Sequence, residues 1–327
     1  MTSLLGHDDQ AFALMEAARS GRMHHGWMLA GPRGVGKASF ARAAARRLLA
    51  EAAGAEQDGG TLDWATVDHP TTRLFDAGTH PDYAELVRLE KDNGDLARNI
   101  SVDQVRGLQR LLGAVPSLSA RRIIVIDSAD DMERGAANAL LKNLEEPPAG
   151  TLFLLVTHAP ARLLPTIRSR CRVLRFAPLD DSAVKTILQR HLPGVSPDEL
   201  DALTRAGEGS PGRALGFAGL DLGEIEKALR AIASDGDPTN RQRLALARRL
   251  AGKAARPRYE AFLERATAFL AAAAREREGQ ALKSTLTAWE QAKHLASGAI
   301  ILSLDPATVV FELCSHVATL ADIRRAA

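Results

Sequence analysis

The segment WMLAGPRGVGKASF, residues 27–40, confines this chain to few folds. Four apolar residues run into a glycine-rich loop, and an alanine-rich stretch with helical spacing follows at once. Gly31, Gly36 and Lys37 fill the fixed places of the phosphate-loop pattern G-x-x-x-x-G-K-[ST], with Gly34 as a further glycine between them. In such a loop, backbone N–H groups turn inward around phosphates, the following helix adds its dipole, and the lysine neutralises charge. A buried strand before the loop and a helix after it predict an α/β domain built on a parallel sheet. The last place of the pattern, where a hydroxyl belongs, holds Ala38.

The rest of the first half agrees. ASFARAAARRLLAEAA (38–53) puts Phe40, Ala44, Leu48 and Ala52 on one helical face. RIIVID (122–127), TLFLLVT (151–157) and VLRF (173–176) are continuous apolar runs, while DYAELVRL (82–89) alternates. Such strands, separated by helices, imply a parallel sheet covered on both faces. SVDQVRGLQRLLGAV (101–115) reads as one helix opened by Ser101, with Val105, Leu108 and Leu112 inward. AANALLKNLEEPP (136–148) reads as a helix stopped by Pro147 and Pro148. Residues 54–80, rich in Gly, Asp, Thr and Pro, read as an irregular insertion. Strand signals end near Pro178, and the chain is helical from there on. Three domains are expected: a P-loop α/β domain over 1–177, a small helical domain over 178–221 and an all-α domain over 222–327.

Composition excludes several classes. A net charge of +2 does not mark a nucleic-acid binder, and only local basic surface is available for one. Two distant cysteines, Cys171 and Cys314, make neither a four-cysteine zinc site nor a disulfide framework. Asp58, Asp63, Asp68, His69 and His80 show no metal-ligand spacing, so no metal is expected. No apolar run has the length of a membrane span and no signal-peptide core opens the chain, which predicts a cytoplasmic protein without membrane partners.

The chemistry of the loop is incomplete. The hydroxyl absent at Ala38 ordinarily ligates the Mg²⁺ that bridges the β- and γ-phosphates. Ser39 stands one residue on, about 100° around the helix, and should point away. In IIVIDSADDM (123–132), Asp127 stands in the Walker-B place for holding a metal-bound water. The next position, which takes a water-polarising glutamate in an active ATPase, is Ser128. Asp130 and Asp131 read as helix caps. With two groups lost independently, hydrolysis at this site is not expected.

The run NALLKNLEEPPAGTLFLLVTHAPARLLPTIRSRC (138–171), with the loop, HPDY (80–83) and GSPGRAL (209–215), resembles the AAA+ subunits of the bacterial clamp loader. The resemblance covers about residues 5–219, and its LEEPP and SRC motifs are more specific than the loop itself. It implies a RecA-like AAA+ domain, a helical lid and a helical collar. It also implies a hetero-pentameric ring with ATPase motor subunits and delta, which opens a sliding clamp and places it on primed DNA. The member it most resembles is a rigid stator with no hydrolysis of its own. No cofactor is then required, and weak ATP or ADP binding is the residual capacity of the loop. Arg170 of SRC matches the family's arginine finger, which reaches a neighbour's ATP site; the bare residues alone would read as a solvated arginine beside Arg168 and Arg172. Thr157 and Arg213 match the sensor-1 and sensor-2 places, here as packing and hydrogen-bonding groups facing this chain's own pocket. Family members often carry a four-cysteine zinc module where this chain has the cysteine-free segment 54–80.

Two rival readings lack support in the residues. An active AAA+ motor acting on DNA would need the hydroxyl and acid replaced at Ala38 and Ser128. A small-molecule P-loop kinase would leave SRC and the helical last third unexplained.

Overall fold

The computed structural model describes residues 4–55, 68–92 and 96–326. Five parallel strands form one sheet: β1 (Gly26–Ala30), β2 (Tyr83–Leu86), β3 (Arg122–Asp127), β4 (Thr151–Thr157) and β5 (Arg172–Arg175), in the order β2-β3-β4-β1-β5. The helices of this part are α1 (Asp8–Arg19), α2 (Lys37–Ala52), α3 (Pro70–Asp76), α4 (Val102–Gly107), α5 (Gln109–Leu112), α6 (Arg134–Glu145) and α7 (Pro165–Arg168).

The period of two along each strand sorts the core into two layers. Trp27, Leu29, Ile123, Val125, Leu154 and Leu174 pack on one face with Leu14 of α1 and Phe40, Leu48 and Leu49 of α2. Met28, Ile124, Ile126, Phe153 and Leu155 pack on the other with Val105, Leu108, Leu140, Leu144 and Ile167. A sheet apolar on both faces needs helices on both, as the uninterrupted apolar strands require.

Two local expectations are corrected. Segment 54–80 is not irregular throughout: α3 forms inside it, because Pro70 starts the helix and His69 caps it, its Nδ1 accepting from Thr71 N–H at 3.2 Å. Phe75 then packs 4.4 Å from the Tyr83 ring, and Asp76 takes both ends of the Arg46 guanidinium at 2.9 Å. Asp58 and Asp63 lie outside the described residues. The helix expected over 101–115 is two short ones, since Leu108 N–H turns to Val105 O at Gly107, an i to i−3 bond at a poor helix former. Its inward residues are still buried as expected.

The chain beyond α7 continues with α8 (Asp181–His191), α9 (Pro197–Gly207), α10 (Pro211–Gly216), α11 (Leu222–Asp235), α12 (Arg241–Leu250), α13 (Arg256–Arg275), α14 (Gly279–Ala299) and α15 (Pro306–Ala326). Two compact units result: residues up to Ile187 with Gly209–Gly212, and Leu188–Glu208 with the chain from Arg213 onward. In the second, α11, α12, α13 and α14 all pack on α15, around Phe262, Leu270, Val310 and Leu313. Among the described residues no helix is long and apolar enough to cross a membrane.

The HPDY turn fixes the entry to β2. Asp82 is buried, and its carboxylate accepts the N–H groups of Ser117 and Leu118 at 2.7 and 2.9 Å, tying the approach to β3 onto β2. Asp82→Ala would strand two amides, and we expect a loss of about 2–4 kcal/mol from the cost of unmade buried hydrogen bonds. Urea unfolding measures it; a loss below about 0.5 kcal/mol, the level of a neutral surface change, would mean water replaces the carboxylate.

Candidate functional site

The parallel register brings the carboxyl ends of β1, β3 and β4 to one edge. Ala30 pairs with Thr157 and Asp127 with Val156, so the loop, Thr157 and Asp127 leave the sheet together. Gly31 N–H donates to Thr157 O at 3.3 Å, and Phe176 N–H to Ala30 O at 2.8 Å. Only glycine fits at 31, because a Cβ there would lie 2.2 Å from Phe176 O. Gly36 caps α2 with φ 103°, a left-handed backbone that glycine adopts without steric cost.

The outward carbonyls of the loop are tied down. His7 Nε2 lies 2.8 Å from Val35 O, Ser210 Oγ donates to Arg33 O at 2.8 Å, and Gly212 N–H to Gly34 O at 2.9 Å. The GSPG stretch thus grips the back of the phosphate loop. Lys37 is 2% exposed and its Nζ donates to Gly31 O at 2.7 Å and to Pro32 O. Desolvation pushes its pKa down to about 8, against the pull of the Asp130 and Asp127 carboxylates.

Asp127 closes β3 with a half-buried carboxylate. Its neighbours are Arg42 of α2, with Nη2 3.4 Å from Oδ2, and the Ser128 hydroxyl, 3.4 Å from Oδ1. Arg42 donates from Nε to Glu85 at 2.7 Å, and Tyr83 OH donates to the other Glu85 oxygen at 3.1 Å. Burial and then the Glu85 charge hold the Tyr83 phenol protonated, well above its ordinary range. Ser128 faces His158, hydroxyl to Nε2 at 2.8 Å. Burial, and after it the Lys37 charge, lowers the His158 pKa and favours the neutral ring.

Asp130 and Asp131 are not helix caps. The Asp130 carboxylate accepts the N–H groups of His158 and Ala159 at 3.2 Å, bracing the turn after β4, and Asp131 pairs with Arg88 at 3.3 Å. Both lie in a single 3₁₀ turn, Ala129–Asp131, and their partners are in the segments after β4 and β2, not at the start of α6, whose N-cap is Glu133. Neither is free to polarise water. Ala38 is half-buried and Ser39 exposed, so no hydroxyl follows the lysine on the loop side. A magnesium ion would find one carboxylate, already beside a guanidinium, and no hydroxyl on the loop itself; the loop fits a phosphate and lacks the group that ordinarily holds the metal against it.

Thr157 is fully buried, and its hydroxyl has no hydrogen-bond partner among the described residues. Arg213 is held within the second unit, Nε to Glu264 at 2.6 Å and Nη1 to Glu208 at 2.8 Å. Arg170 sits elsewhere. It precedes β5, whose Arg172 pairs with Trp27 near the start of β1, so it lies at the amino ends of the strands. There its Nη2 is 2.9 Å from Glu145, and Nη1 donates to Thr166 O at 3.0 Å. Among the described residues no three His, Cys, Asp or Glu form a metal-sized cluster. Sequence reading missed Arg42, His158 and Glu145; helical phase to the sheet marks Arg42, whereas the other two pair only across loops.

Residues 6–180 match the family model described as DNA polymerase III, delta subunit. The chain is 38% identical over 188 residues to the DNA polymerase III subunit delta' of Pseudomonas aeruginosa, a match covering 57% of this chain and 53% of that protein. To the DNA polymerase III subunit delta' of Escherichia coli it is 35% identical over 221 residues, covering 67% and 62%. The chain thus spans about half to three fifths of the length of these relatives. A DNA polymerase III gamma subunit-related protein of Thermotoga maritima superposes with a TM-score of 0.43 at 17% identity, over 94% of this chain and 99% of that one.

The buried lysine sets a pH dependence. Folded Lys37 loses its proton near pH 8 and an ordinary lysine near 10.5. Between these values the unfolded chain holds more protons, so stability rises with pH. Urea unfolding across this window should show the native chain gaining on Lys37→Met, approaching ~1.4 kcal/mol per pH unit. Parallel curves would place the ammonium in water.

Proposed function

This chain belongs to the DNA polymerase III delta subunit family, and from that membership and the state of its site we propose that it acts as the delta prime stator of a clamp loader. In this reading it supports ATP-driven loading of the sliding clamp on primed DNA without hydrolysing ATP itself. Its partners are the motor subunits and delta in a hetero-pentameric ring in the cytoplasm, and it meets clamp and DNA through that assembly. We assign residues 178–221 to the lid and 222–327 to the collar that holds the ring. The loop remains as a phosphate-shaped support, with weak ATP or ADP binding as its residual capacity and no required cofactor.

The observation that carries the proposal is the position of Arg170. β1 has five residues, and at roughly 3.3 Å each the sheet separates its two edges by about 16 Å. An arginine at the amino edge is too far from this chain's own loop to touch a phosphate there. A guanidinium at that edge can serve only a phosphate brought by another chain, and its planar fork of donors suits one. The damaged loop supports the same division of labour, since the groups missing here are those a motor subunit supplies for itself.

Two measurements test this. The isolated chain should turn over ATP well below about 1 s⁻¹, the low end of ordinary enzymes; a rate at or above that removes the stator reading. In the assembled loader, Arg170→Ala should leave assembly intact and depress clamp-dependent hydrolysis at one boundary, by up to the ~10³–10⁵ that a finger in trans supplies. Arg170→Lys, which keeps charge and loses the fork, should recover little, and Arg172→Ala should behave as the native chain. Equal rates in all of them return Arg170 to a surface charge.

A further inference from the structure

The two most specific motifs of the sequence, LEEPP and SRC, meet at one ion pair. Glu145 is the last residue of α6, which starts after the carboxyl end of β3 and runs back to the amino edge of the sheet. Arg170 follows α7 and arrives at the same edge from the other direction. Gly26, the first residue of β1, is the floor between them: a Cβ there would lie 3.0 Å from Arg170 O and 3.4 Å from Leu144 Cδ2. The carboxylate and guanidinium close over this floor at 2.9 Å.

Stability does not explain the pair. Both side chains are well exposed, at 48% for Glu145 and 36% for Arg170, and pairs of that kind add little to a fold. What the contact does fix is direction. Thr166 O takes one Nη1 hydrogen at 3.0 Å, with Ser169 Oγ at the 3.5 Å limit, and Glu145 takes Nη2. Guanidinium has five N–H groups, so donors remain on Nε and Nη2 while the plane is held at two corners. A long flexible side chain is thereby ordered in advance, and ordering it at the moment of use would cost rotamer entropy. Being weak and exposed, the pair also yields to a more highly charged triphosphate.

We propose that Glu145 is the positioning residue for Arg170, orienting its guanidinium toward a nucleoside triphosphate held by a neighbouring chain; this rests on reading Arg170 as a group that acts in trans. Glu146, the adjacent exposed acid, has no such contact among the described residues and is the control.

The test is a double-mutant cycle in the assembled loader, with steady-state ATP hydrolysis in the presence of clamp and primed DNA. Glu145→Ala should lower kcat roughly two- to fivefold, the scale set by an exposed ion pair, with KM for ATP and the melting temperature unchanged. Glu145→Gln, which can still accept from the guanidinium, should lose less, and Glu146→Ala nothing. On an Arg170→Ala background, Glu145→Ala should cause no further loss. A native kcat in Glu145→Ala, or the same loss with and without Arg170, overturns the proposal while leaving the finger reading standing. If Arg170→Ala is itself silent, the finger reading fails and the role of Glu145 falls with it.

Discussion

β1 is hydrogen-bonded along both edges, to β4 and to β5, and that register decides where every functional group of the first unit lies. Because all five strands run in the same direction, their carboxyl ends make one edge and their amino ends the other. A parallel sheet of this kind places ligand chemistry at the carboxyl edge, where loops leave toward helix amino termini. Gly31, Asp127 and Thr157 are there because they follow or end β1, β3 and β4. The same register carries Glu145 and Arg170 to the opposite edge. One chain thus owns two chemically distinct edges, and the sheet keeps them from acting on each other.

The carboxyl edge keeps the backbone that shapes a phosphate loop, with Ala38 and Ser128 in the places where a metal-binding hydroxyl and a water-polarising acid would stand. Backbone geometry is retained at Gly31 and Gly36, and the loop is gripped from behind by His7, Ser210 and Gly212. Lys37 is buried against the loop carbonyls of Gly31 and Pro32, at an electrostatic cost visible in its lowered pKa. Carboxylates that would otherwise be reactive are already engaged: Asp127 beside Arg42, Asp130 on two backbone amides. Such engagement stabilises a fixed arrangement of these two carboxylates.

The second unit uses charge differently. Glu226 is 5% exposed and receives Arg265 at 2.9 Å and Arg205 and Arg230 at 3.4 Å. A buried carboxylate among guanidiniums adds little net stability over apolar packing, but removing one partner leaves an uncompensated charge. It therefore selects one arrangement of α9, α11 and α13 among the many that Ala- and Leu-rich helices could adopt. A surface of interchangeable alanines gives weak register information, and this cluster supplies it.

Local rules made much of the molecule legible in the sequence. A strand, a glycine loop and a helix in immediate succession specify a phosphate-loop geometry, since each element is set by its own periodicity or backbone freedom. The parallel sheet followed from apolar runs separated by helices, the loss of the metal hydroxyl from Ala38, and the exposure of Ser39 from helical phase. Short-range capping at His69 hid a helix inside a segment whose composition reads as irregular, because composition averages over the two residues that start it. Asp130 and Asp131 were misread for a related cause: their partners, His158 and Arg88, lie in the segments that follow β4 and β2, and no local rule names them. The pairing of Glu145 with Arg170, 25 positions apart, and the placement of that pair at the sheet edge opposite the loop come only from strand order and register. Sequence determined which chemistry each segment carries; the tertiary structure decided which groups meet, because meeting depends on how strands pair, and pairing is not a property of either strand alone.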